Sequence, residues 1–222
     1  MMLDICVPIF HKNLKQFLSK HVSGLEAEMG FTGTLRDIEE FTGVPFRLLV
    51  MVDGGMRDDF ADLEAYLGGA DYEWKIIHER QPIYYAKAMV ELLAVAKAKI
   101  IAVIPPNVAL KDPKWFGKMQ LVFLRDPRAA VVYANQVDPC SLPPQRIFQH
   151  EHPGEPMLIL QKYMLDVIDI QGDEVDAGEW SAQVSKQALA YGSTRWVAPG
   201  VRRFILGGVS HGCRSSEEVR SQ

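Results

Sequence analysis

An aspartate followed by two glycines, Asp53-Gly54-Gly55, stands directly after the apolar run Phe46–Val52. A carboxylate placed there can accept hydrogen bonds from a polar ligand, and residues without a Cβ let the backbone come close to it. A tight turn after a strand uses the same residue types, so the position at a strand end, more than the tripeptide, points to a site. A second acidic group, Asp173, Glu174, Asp176 and Glu179, runs into a helical segment of about a dozen residues that ends at Gly192. Glu179 follows a glycine near the start of that segment, where the helix dipole stabilises a carboxylate. Such a group can deprotonate a hydroxyl held within about 2.6–3.2 Å; a helix cap in an acidic loop is the plainer use of it.

Other reactive residues carry less. His150 and His152 lie two apart in QHEHP, but no third ligand accompanies them, and two ligands do not make a metal centre. Cys6, Cys140 and Cys213 are far apart and odd in number, with no zinc-type spacing, and read as reduced thiols. Lysines and arginines number 24 against 28 aspartates and glutamates, a net charge of −4. With both signs interspersed, no basic footprint for nucleic acid exists. The chain opens MMLDICVPIF, with an acid where a signal peptide carries lysines, and Asp4 and Pro8 break its apolar run. No stretch approaches the roughly 20 apolar residues of a membrane helix. These features lead to the expectation of a cytoplasmic protein without a transmembrane segment.

These residues need elements to hold them. Leu3–Phe10 is apolar and reads as a first strand, closed by the polar turn His11-Lys12-Asn13. Leu14, Phe17, Leu18, Val22 and Leu25 share one face of a helix over Leu14–Leu25. Gly30, Gly33 and Gly43 punctuate a loop with a short amphipathic helix carrying Leu35, Ile38 and Phe41. Phe46–Val52 is apolar throughout, as in a strand covered on both faces of a parallel sheet. Further helices are expected over Phe60–Leu67, Tyr84–Ala98 and Lys114–Leu124, and strands over Trp74–His78, Ile100–Ile104 and Ala129–Ala134. This alternation implies an open, mostly parallel α/β sheet with right-handed crossovers. Ligands then bind at the carboxyl ends of the strands, next to His11, Asn13, Asp53, Gly54, His78, Arg80 and Pro105–Asn107. Residues 135–156 are proline-rich and read as a long connection. A strand running into a helix follows over Met157–Ile168, then a strand over Trp196–Val201 and a charged tail over Ser215–Gln222. With 222 residues of ordinary composition, 48% hydrophobic and 23% charged, the chain is expected to be one domain able to bury roughly 70% of its unfolded surface.

In serial order, VPIFHKN, VMVDGG followed by Arg57-Asp58-Asp59, YYAKAMVELLAVAKAKIIAVI, IIAVIPPN with VALKDPKWFGKMQ, and DAGEWSAQVSKQALAYGSTRWVAPGVRRF resemble the family 2 glycosyltransferases. The resemblance covers residues 2 to about 211. It implies the GT-A fold of nucleotide-diphospho-sugar transferases, with residues 1–135 as the nucleotide-binding half, 136–214 as the acceptor side and 215–222 as a flexible tail. It further implies transfer of a sugar, with inversion, from a nucleotide-sugar donor to a hydroxyl acceptor. Asp53 and Gly54 would meet the nucleoside, and Pro8, Ile9, Phe10 and His11 would wall its pocket. Arg80 or Lys87 would face the diphosphate, and Glu179, with Asp176 as substitute, would be the base. Departures are part of the pattern. The D-x-D that holds Mn or Mg in that family reads Pro105-Pro106-Asn107 here, and a hard cation wants charged oxygens; Asn107 keeps one neutral carbonyl at the diphosphate, so no metal site is assigned. The late E-D pair reads Glu179-Trp180. His211, in GGVSHG, resembles a late histidine that ligates metal in some relatives. Two rivals follow: a degenerate relative that binds nucleotide or a partner as a scaffold, and a nucleotidyltransferase. The latter lacks support, because the turn after the first strand holds no glycine-rich basic loop.

Overall fold

Leu3, Ile5, Val7 and Ile9 point to one side of the first strand and Asp4, Cys6 and Pro8 to the other, and all seven are buried. That double burial requires layers on both faces, and a computed structural model shows them. It describes residues 2–18, 33–110, 112–136, 158–161, 168–172, 175–191 and 194–205.

The elements run β1 (Leu3–Phe10), a 3-10 turn (His11–Asn13), α1 (Leu14–Phe17), α2 (Thr34–Phe41) and β2 (Phe46–Asp53). A 3-10 turn (Arg57–Phe60), α3 (Ala61–Leu67), β3 (Glu73–Glu79), α4 (Tyr84–Val95), β4 (Ile100–Val103) and β5 (Val108–Leu110) follow. α5 (Trp115–Arg125), β6 (Ala129–Gln136), β7 (Leu158–Gln161), α6 (Ala177–Ala190) and β8 (Thr194–Ile205) complete the order. Among the described residues eight strands form one sheet, ordered β3-β2-β1-β4-β7-β6-β8-β5. β3, β2, β1 and β4 are mutually parallel.

Alternate residues of the central strands feed two cores. Leu48, Val50 and Val52 of β2 with Ile100 and Ala102 of β4 join the layer that holds Phe17, Ile38, Leu63, Trp115 and Phe116. Leu49, Met51, Ile101 and Val103 join the opposite layer, with Met89 and Leu92 of α4 and Trp180 and Val184 of α6. Trp180 is therefore a core residue. Cys6 is buried in the second layer, and burial pushes its thiol well above the usual range, leaving it inert.

Three expectations need correction. The helix expected to reach Ala98 ends at Val95. The buried carboxylate of Asp4 takes the N–H groups of Lys97 and Ala98, the second at 2.8 Å, and removes them from the helical ladder. That carboxylate also pairs with Arg47 at 2.9 and 3.0 Å. A strand unmarked in the sequence, β5, forms after Pro105-Pro106, where Val108–Leu110 pairs antiparallel with β8. β6 does not extend the parallel set beside β4, because β7 lies between them and is antiparallel to both. The residues expected in helix over 162–167, most of the 135–156 connection and the charged tail lie outside the described residues. So do His150, His152, His211, Cys140, Cys213, Asp173 and Glu174, while Leu14–Leu25 is described only to Leu18.

Candidate functional site

Parallel pairing puts the carboxyl ends of three strands in line, with Phe10 opposite Asp53 and Asp53 opposite Glu79. The chain moves outward from β1 through β2 to β3 and then returns to the other side of β1 as β4. A reversal of that kind leaves a crevice above the strand ends.

A cavity of about 370 Å³ opens there. Its walls are Pro8, Ile9 and Phe10 from β1, Asp53 from β2, Tyr84, Tyr85 and Ala88 from the start of α4, and Val175, Asp176 and Ala177 at the start of α6. Two contacts fix the helices around it. Ala86 donates its N–H to the carbonyl of Val175 at 3.3 Å, and the rings of Tyr85 and Trp180 meet edge to face at 5.8 Å.

Asp53 is 8% exposed. Its Oδ1 accepts the N–H of Ile83 at 2.8 Å, which ties the β2 end to the entrance of α4. An ionised carboxylate offers about four acceptor positions, so this bond leaves acceptor capacity toward the cavity. Gly54 donates its N–H to Glu79 at 2.8 Å and has φ +78, as Gly55 has +81. A Cβ on Gly54 would lie 2.9 Å from His11 Nδ1, and one on Gly55 2.9 Å from Asp59 Oδ2. The glycine pair thus turns the chain under the His11 ring, outside the cavity lining. His11 Nδ1 is 3.4 Å from the Asp53 carbonyl, and the ring packs on Phe10 at 4.5 Å.

Asp176 is the N-cap of α6, its Oδ1 accepting from the Glu179 N–H at 2.8 Å. Asp176 lines the cavity and Glu179 does not. Glu179 sits in the first turn, exposed, its Oε1 3.4 Å from Gln183 Nε2. Of the two carboxylates expected near an acceptor, the substitute is the one that faces the cavity wall.

The remaining expected residues are apart from it. Arg80 is exposed in the β3–α4 loop. Lys87 is exposed on another flank of α4, beside a separate hollow of about 260 Å³ with Val90 and Gly172. Asn107 is half-buried between β4 and β5. In that turn the carbonyl of Pro106 accepts from Thr34 Oγ1 at 2.6 Å, and that of Pro105 from the Val108 N–H at 3.3 Å. Asn107 supplies the one side-chain oxygen of the tripeptide, and no group of three histidine, cysteine or acidic residues forms a metal cluster among the described residues. These donors do not fit a hard divalent cation.

Tyr84 and Tyr85 are wall residues for which the sequence gives only membership of the helix expected over Tyr84–Ala98. Tyr84 is 47% exposed and takes φ +63, a backbone state that side chains rarely adopt. Such outliers gather at functional sites. Nothing in the spacing marks it, although Pro82 two residues earlier signals a helix entrance.

No protein-family model and no curated protein sequence matches the chain. Solved structures do. The S. aureus TarS fragment 1–349 in complex with UDP-GlcNAc superimposes with a TM-score of 0.67 at 11% identity over 95% of this chain and 60% of that one. Mannosyltransferase PcManGT from Pyrobaculum calidifontis, in complex with GDP-Man and Mn2+, gives 0.68 at 10% identity over 94% and 57%. GalNAc-T7 with UDP, GalNAc and Mn2+ gives 0.69 at 8% identity over 96% and 45%. The chain thus spans about half the length of these neighbours. At such identity the likeness is one of fold, and the fold is that of the GT-A-type glycosyltransferases.

Proposed function

We propose that the chain binds a nucleotide-activated sugar and passes the sugar, with inversion, to a hydroxyl acceptor, as a degenerate member of the family 2 type. One observation carries this reading: Pro8, Phe10 and Asp53 from two strand ends and Asp176 from a helix cap, all singled out by resemblance, line one cavity. Solved neighbours of the same fold, at 10–11% identity, are in complex with GDP-Man and UDP-GlcNAc, which supports a nucleotide sugar as donor.

In this proposal Asp53 accepts hydrogen bonds from the base or ribose, and the rings of Phe10 and Tyr84 shield the nucleoside from water. Asp176 takes the proton of the acceptor hydroxyl as its oxygen attacks the anomeric carbon. The bond to the diphosphate oxygen breaks on the opposite face, and the nucleoside diphosphate leaves with the electron pair. Residues 1–135 serve the donor and 136–214 the acceptor.

The test is calorimetric titration with UDP-, GDP-, CDP- and TDP-sugars, followed by turnover with hydroxyl acceptors. Saturable binding of one of them is expected, with Asp53→Asn binding about tenfold more weakly, the size of one hydrogen bond to a charged group. Asp176→Asn should keep binding and lower turnover at least about a hundredfold, as loss of a general base does. Binding without turnover would favour the rival reading, a nucleotide-binding scaffold, for which the metal-poor turn at Pro105–Asn107 speaks. Absence of binding to all four would end both.

A further inference from the structure

A diphosphate brings negative charge into a site that already has two carboxylates, Asp53 and Asp176, in its wall. None of the ten lining residues is a lysine, arginine or histidine. The Pro105–Asn107 turn does not fit a divalent cation either. Like charges so close together in a partly desolvated site repel, so a ligand of this class needs a cation from the rim.

Phe10 is the wall where that cation stands. Phe10 is 38% exposed, with the His11 imidazole packed against its ring and the Lys12 ammonium over that ring, 5.8 Å from the centroid. Of the nearby alternatives, Arg57 pairs with Glu64 at 3.2 Å, and Lys87 borders the other hollow. Asp59, whose carboxylate lies beside Gly55, accepts the Met56 N–H at 2.6 Å.

We infer that Lys12 is the phosphate-binding residue of this site: its ammonium rests on the Phe10 ring and swings to the diphosphate of a nucleotide lying along the other parts of the wall. The inference rests on the nucleotide-sugar reading. The two polarities agree, with Asp53 inside for the donors of a base or ribose and a cation at the rim for the diphosphate. A cation over an exposed ring is held weakly, and a charge-assisted bond to phosphate is the stronger partner. Lysine serves phosphate as a mobile point charge.

The experiment compares wild-type protein with Lys12→Met, which keeps the stem, Lys12→Arg, which keeps the charge, and Arg80→Gln. Each is titrated with a nucleoside diphosphate (UDP, GDP, CDP or TDP, whichever binds wild type best) and with its parent nucleoside. Lys12→Met should lose about fivefold or more in diphosphate affinity, the size of one solvated charge contact. It should leave nucleoside affinity unchanged and flatten the salt dependence, while Lys12→Arg retains most of the affinity. Equal losses for nucleoside and diphosphate would mean that Lys12 only props Phe10. An unchanged diphosphate affinity, or a loss confined to Arg80→Gln, would also overturn the inference while leaving the functional reading in place. Wild-type protein that binds nucleoside but gains nothing from the diphosphate sinks Lys12 alone; one that binds neither sinks the functional reading together with it.

Discussion

Gly54 and Tyr84 occupy the same left-handed region of backbone space for opposite reasons. At Gly54, φ +78 and a Cβ position 2.9 Å from His11 Nδ1 leave no room for a side chain. Gly54→Ala should therefore lower unfolding free energy by about 2 kcal/mol, since an alanine in that conformation costs about 1–2 before the imidazole has to move. Urea titration checks it. At Tyr84 the same conformation, φ +63, is imposed on a bulky residue of the cavity wall. Tyr84→Gly should leave stability unchanged or raise it by about 1 kcal/mol, because glycine escapes that cost and gives part of it back as chain entropy. Nucleoside affinity should nevertheless fall. A fall in both would show that the ring is packing and no more. The glycine pair was legible in the sequence because a strand end followed by Asp-Gly-Gly announces a turn. The tyrosine was not, because a helix entrance fixes no φ sign until neighbouring elements close around it.

Among the elements, β1 does two jobs at its two ends. Its carboxyl end supplies Pro8 and Phe10 to the cavity, and its amino end buries Asp4 against Arg47 of β2. Burial opposes the charge of Asp4, but the guanidinium and the N–H groups of Ala98 and Lys97 outweigh it and hold the carboxyl below its ordinary 3.8. The native state thus binds this proton more weakly than the unfolded chain does. The stabilisation is complete above the ordinary value and is lost as pH falls through the lower native one. Arg47→Met should cost about 3–5 kcal/mol near neutral pH, since it strands a buried carboxylate. The cost should shrink as acid protonates Asp4, and denaturant unfolding from neutral pH down into the acid range reads both. Pairing Arg47→Met with Asp4→Leu should remain destabilised, because the N–H groups of Lys97 and Ala98 then lose their acceptor. The end of α4 was misread for this reason. Its alanine-rich sequence favours helix to Ala98, and only a carboxylate 93 and 94 residues away along the chain takes those two N–H groups.

For the molecule as a whole, the fold is that of the GT-A-type glycosyltransferases, and no described helix is long and apolar enough to cross a membrane. The Pro105–Asn107 turn predicts that nucleoside diphosphate affinity will change by less than about twofold between excess EDTA and added Mn2+, for want of charged oxygen ligands. Calorimetry in the two buffers checks it, and a large gain with the metal would show that other residues complete a centre. The sequence by itself determined β1, β2 and β4, because they are short apolar runs that bury both faces. It also determined the shared direction of the first four, β1 to β4, because helical segments between strands force parallel crossovers. It marked Asp53 by its place at a strand end, whereas Asp176 entered only as the substitute for Glu179 that the resemblance offered. Only the tertiary structure decided that β7 separates β4 from β6, that Asp176 rather than Glu179 reaches the cavity, and that Tyr84 and Tyr85 wall it while Lys87 turns elsewhere. Each of these depends on the rotation of a helix or the register of a strand against partners distant in sequence. Residue type and local periodicity fix that an element forms, and packing fixes which of its faces meets the site.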